Sequence, residues 1–141
     1  MTGQRGRVVC DLTISADGYS AGPNQTEERP FGDDGGDGWG DGLHAWLADN
    51  ADENRAEIDT LSAAGQARVV AGDDEIAVQG GATTVNEYLA AGLIDELRLH
   101  IAPLTLGGGT RLFEGVPPLN LEQVDARAAT QITHVTYRVR A

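Results

Sequence analysis

The sequence has one cysteine, Cys10, in 141 residues. A lone thiol excludes an internal disulfide framework and a cysteine metal cluster. Aromatic residues are scarce at 5%, so the core must be built from Val, Leu, Ile and Ala. Basic residues are few as well: 10 Lys and Arg stand against 22 Asp and Glu, a formal net charge of −12. Such a surface repels nucleic-acid phosphates and anionic lipid, which excludes both as main partner. It does nothing to draw in an anionic cofactor, so any phosphate site must work through local groups. No apolar run approaches the ~18 residues of a membrane span, and no signal-peptide pattern opens the chain. The expectation is a cytoplasmic protein of one domain, with one core. Glycine is the residue in surplus, at 19, and points to tight turns or a flexible loop.

The organising stretch is EIAVQGGATTVNEYLAAG, residues 75–92. Ile76 and Val78 favour a strand, and Gly80-Gly81 ends it. Thr83 is the expected N-cap of a helix whose Val85, Tyr88 and Leu89 recur at helical spacing, with Gly92 as the C′ residue. Two glycines between a strand and a helix N-terminus let backbone approach an anion, and the helix dipole favours negative charge there. The same spacing also describes a tight turn that binds nothing.

Upstream, residues 7–15 are β-rich, with Val8, Cys10, Leu12 and Ile14 on one face and Val9, Asp11 and Thr13 on the other. A strand apolar on one face and partly on the other belongs inside a sheet, covered on both sides. Burial makes Cys10 a packing residue. The loop that follows carries Asp17-Gly18-Tyr19. Ligands of open α/β sheets sit beyond strand ends, so Asp17 and Tyr19 are candidate site residues; Asp17 can equally form an Asx-turn that shapes the loop. The Gly/Asp-biased segment 31–42 fails the calcium-loop pattern, since with Asp33 first the twelfth position is His44. No metal is expected; the segment reads as a mobile solvated loop, with Trp39 closing over a ligand. Leu43, Trp46 and Leu47 mark a short amphipathic helix, with His44 off its stripe as either a proton donor or an exposed residue.

A second helix is expected from about Asp59 to Ala71, or with Val69-Val70 beginning a strand. Leu97, Leu99 and Ile101 alternate with Arg98 and His100 in a strand with one buried face, His100 lying at a structural or surface position. Gly107-Gly108-Gly109 permits close approach of backbone to a ligand or to a neighbouring loop, and Arg111 is the one cation beside it, suited to a phosphate or carboxylate. Residues 119–124 and 132–139 read as an edge hairpin turning near 127–131, with Ile132, His134, Thr136, Arg138 and Arg140 on a solvated face.

Three segments, SADGYSAGPN (15–24), QGGATTVNEYLAAGLIDELRLHIAP (79–103) and LGGGTRLFEG (106–115), resemble in that order the dihydrofolate reductase superfamily. The reductase domain of bacterial riboflavin biosynthesis is the branch they resemble most. The resemblance implies a three-layer α/β fold with the first strand central, and NADPH-dependent hydride transfer to a C=N or C=O bond of a small-molecule substrate. It implies that Gly80, Gly81, Ala82 and Thr83 hold the cofactor's pyrophosphate, with Gly18 and Asp17 beside the nicotinamide. Asp17 and His44 are the catalytic candidates. Tyr19, Trp39, Trp46, Pro103, Leu104 and Arg111 are the substrate-pocket candidates.

The chain also departs from that family. No Gly-Arg-x-Thr motif for the adenosine-side phosphates occurs, the only Gly-Arg being Gly6-Arg7. Losing a few charge-assisted contacts at roughly 1.5–3 kcal/mol each would weaken NADPH binding by several powers of ten. The fold expected is a truncated, mostly parallel sheet of about five strands with a C-terminal antiparallel hairpin, lacking the usual middle strands. Residues 75–79 would then be an edge, which invites pairing with a second copy as a homodimer. Two activities fit: a reductase, or a non-redox descendant acting as isomerase, cyclase or binder.

Overall fold

The computed structural model describes residues 7–23, 26–28, 43, 45–64, 75–78 and 82–140. In chain order these form β1 (Arg7–Ser15), β2 (Tyr19–Ala21), α1 (Ala45–Asp49), α2 (Arg55–Ala64) and β3 (Glu75–Val78). There follow α3 (Ala82–Ala90), β4 (Glu96–Ala102), β5 (Thr110–Arg111), β6 (Asn120–Ala129) and β7 (Ile132–Arg140). Five strands make one sheet in the order β3-β1-β4-β7-β6, and β2 pairs with β5 in a separate ribbon. β1 is parallel to β3 and β4, while β7 is antiparallel to β4 and β6. Four of the five strands therefore run the same way. The expected interior position of β1, the C-terminal hairpin and the edge position of β3 among the described residues all hold.

Alternation along β1 explains why it lies inside. Val8, Cys10, Leu12 and Ile14 pack with Ala82, Val85 and Leu89 of α3 and with Leu97 and Leu99 of β4. Val9 faces the other way and is only 3% exposed. The second apolar cluster joins Leu43 and Trp46 to Ala102 and Ile132, with Leu47 and Ile58 against it. α3 thus covers one face of the sheet, and α1 with α2 cover the other. The thiol of Cys10, fully buried, is pushed up to about 12 by burial and then by Asp11.

α3 ends as its sequence demands. Gly92, at φ 73°, donates to the Leu89 carbonyl and Leu93 donates to that of Tyr88, which is the Schellman pattern. Its start differs: the helix begins at Ala82, so Thr83 lies inside the first turn instead of capping it. Its inward stripe differs too. Asn86 is buried, whereas Tyr88 is 40% exposed.

Other differences have clear causes. α2 starts at Arg55, not Asp59, because Asn54 supplies the first helical acceptor, to Ile58 N–H at 2.9 Å. The face of β7 expected to meet solvent is covered where α1 lies: Ile132 and His134 are 3% and 6% exposed. Only Arg138 and Arg140 remain exposed there. The β6–β7 hairpin turns at Thr130-Gln131, at the end of the range expected, with Gln131 at φ 64°. Residues 65–71, the second half of the helix expected over 59–71, lie outside the described residues.

Candidate functional site

The parallel strands β1 and β4 end side by side, so the loops leaving them meet at the carboxyl edge of the sheet. Asp17 ties these loops together. One carboxylate oxygen accepts the Leu106 N–H at 3.1 Å and the other accepts the Gly107 N–H at 2.9 Å. The Ser15 hydroxyl donates to Asp17 as well, and accepts the Tyr19 N–H at 3.0 Å. Ala16 N–H adds a bond of 2.7 Å to the Leu104 carbonyl. The Ser15 hydrogen bond, with those from Gly107 and Leu106, holds the Asp17 carboxyl below its usual value. At neutral pH Asp17 is therefore an acceptor and a loop clamp, not a proton donor.

Gly18 occupies φ 92°, a region that favours glycine, and passes its carbonyl to Leu112 N–H at 2.9 Å. Tyr19 begins the ribbon opposite Arg111. The Arg111 guanidinium donates to the Tyr19 hydroxyl at 2.9 Å and lies 5.2 Å from the ring centroid. Ser20, next along β2, accepts the N–H of Ala82 at 3.3 Å, so the ribbon seals the first donor of α3. Gly109 shows which neighbour the triple glycine approaches. A Cβ there would overlap the Ala21 carbonyl oxygen and lie 2.7 Å from the Gly22 carbonyl carbon. The close approach is to the neighbouring loop.

Asn86 completes the assembly. Its side-chain amide donates to the Arg111 carbonyl at 2.9 Å and accepts the Phe113 N–H at 2.6 Å. This holds Phe113 at φ 73°, a left-handed backbone that costs a bulky residue ~1–2 kcal/mol. Between α3 and this loop runs a groove of about 450 Å³, lined by Thr83, Asn86, Glu87, Gly109, Arg111 and Glu114 among others.

Asp17, Gly18, Tyr19 and Arg111 are thus brought together, with Ala82 reached through Ser20 and Thr83 lining the groove with Arg111. Pro103 is exposed on the same loop, while Leu104 is half-buried and packs against the Trp46 cluster. Trp46 itself is a correction. It is 1% exposed, stacked on His100 with centroids 5.2 Å apart, inside the layer under α1 instead of lining a pocket. Trp39, His44, Gly80 and Gly81 lie outside the described residues. Sequence reasoning missed Ser15, Ser20 and Asn86. The signal for Asn86 was a polar residue beside Val85 at the i+4 position from Ala82.

A dinucleotide's phosphates find a partial fit. The first turn of α3 carries no acidic residue, which suits an anion at that helix start. The groove further along α3 brings Glu87 and Glu114 against Arg111 alone, a poor setting for a second phosphate cluster. Among the described residues no His/Cys/Asp/Glu group suited to a metal ion occurs, and no helix is long and apolar enough to cross a membrane.

Residues 68–135 match the family model described as the RibD C-terminal domain. The chain is 35% identical over 65 residues to the uncharacterized protein YyaP of Bacillus subtilis, a stretch covering 45% of this chain and 35% of that one. The match thus spans about a third of that relative's length. Among solved structures, one form of Acinetobacter baumannii RibD aligns with TM-score 0.60 at 14% identity, covering 100% of this chain and 60% of that one. The riboflavin biosynthesis reductase Rib7 of Saccharomyces cerevisiae aligns with TM-score 0.54 at 13% identity, covering 100% and 94%. Likenesses this distant in sequence establish the fold. The chain has the dihydrofolate reductase-like α/β fold of the riboflavin biosynthesis reductases, and its residues 68–135 resemble the RibD C-terminal domain.

Proposed function

We propose that this chain is a small-molecule reductase, a single cytoplasmic domain lacking the family's usual middle strands, which uses NAD(P)H to reduce a C=N or C=O bond. The observation that carries the reading is the Asp17 clamp. It fixes two loops at the carboxyl edge of parallel strands, beside the acid-free start of α3, where such folds bind nucleotides. The nicotinamide, when bound, supplies the hydride. The chain's part is to hold ring and substrate face to face and to supply a proton. Tyr19 is the donor in this reading. Its oxygen accepts from Arg111, so its own proton is left to point at a substrate heteroatom.

NADPH titration followed by reduced-nicotinamide emission tests the reading. Saturation below about 100 μM supports it, and no response at millimolar cofactor refutes it. Tyr19→Phe should lower turnover by about 10²–10⁴-fold while NADPH still binds. The second reading is a cofactor-independent descendant. Two observations favour it: the missing Gly-Arg-x-Thr motif, and the Glu87 and Glu114 carboxylates that line the groove. It predicts small-molecule binding with no nicotinamide response.

We also propose a homodimer paired or covered along β3, since that strand ends the sheet among the described residues. Sedimentation at micromolar concentration should give twice the chain mass; a monomer removes the idea.

A further inference from the structure

A buried polar chain on the α1–α2 side takes no part in the proposed reduction. Asp11 Oδ1 lies 2.9 Å from His100 Nε2, and His100 Nδ1 lies 2.8 Å from His134 Nδ1. His134 Nε2 lies 2.8 Å from Asn54 Oδ1. The side chains of Asp11, His100 and His134 are only 5%, 4% and 7% exposed. Trp46 closes the layer, stacked on His100 and edge-on to His134.

The orientation of Asn54 is fixed independently of the histidines. Its amide nitrogen donates to the Asn50 carbonyl at 2.9 Å, and Arg127 donates to its oxygen at 2.9 Å. The oxygen facing His134 can only accept, so His134 Nε2 carries a proton. Three gaps follow one another along the chain, and each needs one proton: Asn54 to His134, His134 to His100, and His100 to Asp11. Two neutral imidazoles carry one proton each. The third is an extra proton, without which two bare acceptors would face each other at under 3 Å.

The surroundings place it at the Asp11 end. Arg98 sits 3.7 Å from the other Asp11 oxygen, and itself pairs with Glu96 on β4. Glu57 from α2 comes within 3.9 Å of His134 but is already held by Arg127 of β6 at 2.7 Å. Asp125 of β6 lines the same shallow pocket as the chain. Burial, then the charge of His100, depresses His134 to about 4, so His134 is the ring that stays neutral. The Trp46 face stacked on His100 suits a proton at that end.

We propose that one extra proton, lodged between His100 and Asp11, latches the α1–α2 layer onto the sheet, and that its loss at alkaline pH loosens that layer. The latch binds three strands and the connection between α1 and α2 through one hydrogen-bonded run. It acts whether or not the chain is a reductase.

Linkage gives the test. The folded chain holds one proton that the unfolded chain, with free histidines near ~6.5, has released. Its unfolding constant, measured in urea, should rise with pH between about pH 7 and 8, above the titration of the unfolded histidines, by at most about tenfold. That window ends below the ~8.5 of a free thiol, where the unfolded Cys10 would add to the same slope. Asp11→Asn should flatten the dependence. Because Asp11→Asn can fail to fold, nitrogen NMR of the wild-type imidazoles at about pH 7.5 gives an independent reading. Three ring N–H protons shared by His100 and His134 are expected. Two neutral rings, or an unfolding constant flat across the window, would overturn the proposal.

Discussion

Replacing Asn86 by Ala should unfasten the loop that carries Arg111. The side chain is 8% exposed and makes two bonds across the α3–β5 boundary, at 2.9 and 2.6 Å. Each is worth ~1 kcal/mol net, and leaving a partner unsatisfied costs ~1–3 kcal/mol when buried. The Phe113 N–H and Arg111 carbonyl both lose their partner, and Phe113 keeps its left-handed backbone without the bond that held it. The summed loss is about 2–4 kcal/mol, a large share of the ~5–15 kcal/mol that holds a domain folded. At roughly 3 °C per kcal/mol for a chain of this size, Tm should fall by about 6–12 °C. Urea unfolding measures the energy, and hydrogen exchange at Leu112 and Phe113 locates it. Asn86→Asp keeps the acceptor for Phe113 but turns a charge toward the Arg111 carbonyl, so it should lose as much. A change under about 0.5 kcal/mol with exchange unaltered would refute the assignment of Asn86 as the fastener.

Other outcomes follow from the same geometry. Asp17→Asn should speed exchange at Leu106 and Gly107 about tenfold or more, since one amide oxygen cannot replace two carboxylate oxygens. Because the folded carboxyl titrates below the free one, its contribution to stability is present above about pH 4 and is lost as pH falls further. Gly109→Ala meets both a backbone overlap and a φ of 121°, whereas Gly115→Ala meets only a φ of 75° in open space. The first should cost at least ~3 kcal/mol and the second ~1–2, read from Tm. Cys10 should resist thiol reagents at about pH 8 in the native chain and react at once in denaturant, because burial raises its thiol to about 12.

Much of this was written in local pattern. The alternation of Val8, Cys10, Leu12 and Ile14 against Val9 placed β1 inside the sheet, and Gly92 marked the end of α3. What the pattern could not carry was which layer covers which face. His134 and Ile132 alternate with apolar residues and so looked solvated. Only the packing of Trp46 and Leu43 onto that face reveals it as buried. The same blindness put Trp46 in a pocket, because a tryptophan beside a loop reads alike whether it turns to a ligand or to the core. Asn86 and Tyr88 exchanged roles because the inner stripe of α3 meets backbone at Arg111 and Phe113, where an amide serves better than a ring. β2 and β5, three and two residues long, fall below any periodic signal.

The most direct test of the site is residue-resolved hydrogen exchange with and without saturating NADPH. The account predicts protection at Gly18, Tyr19, Thr83, Leu106 and Gly107, the loops that the Asp17 clamp joins and the start of α3. Protection confined to other segments, or none at millimolar cofactor, would contradict it.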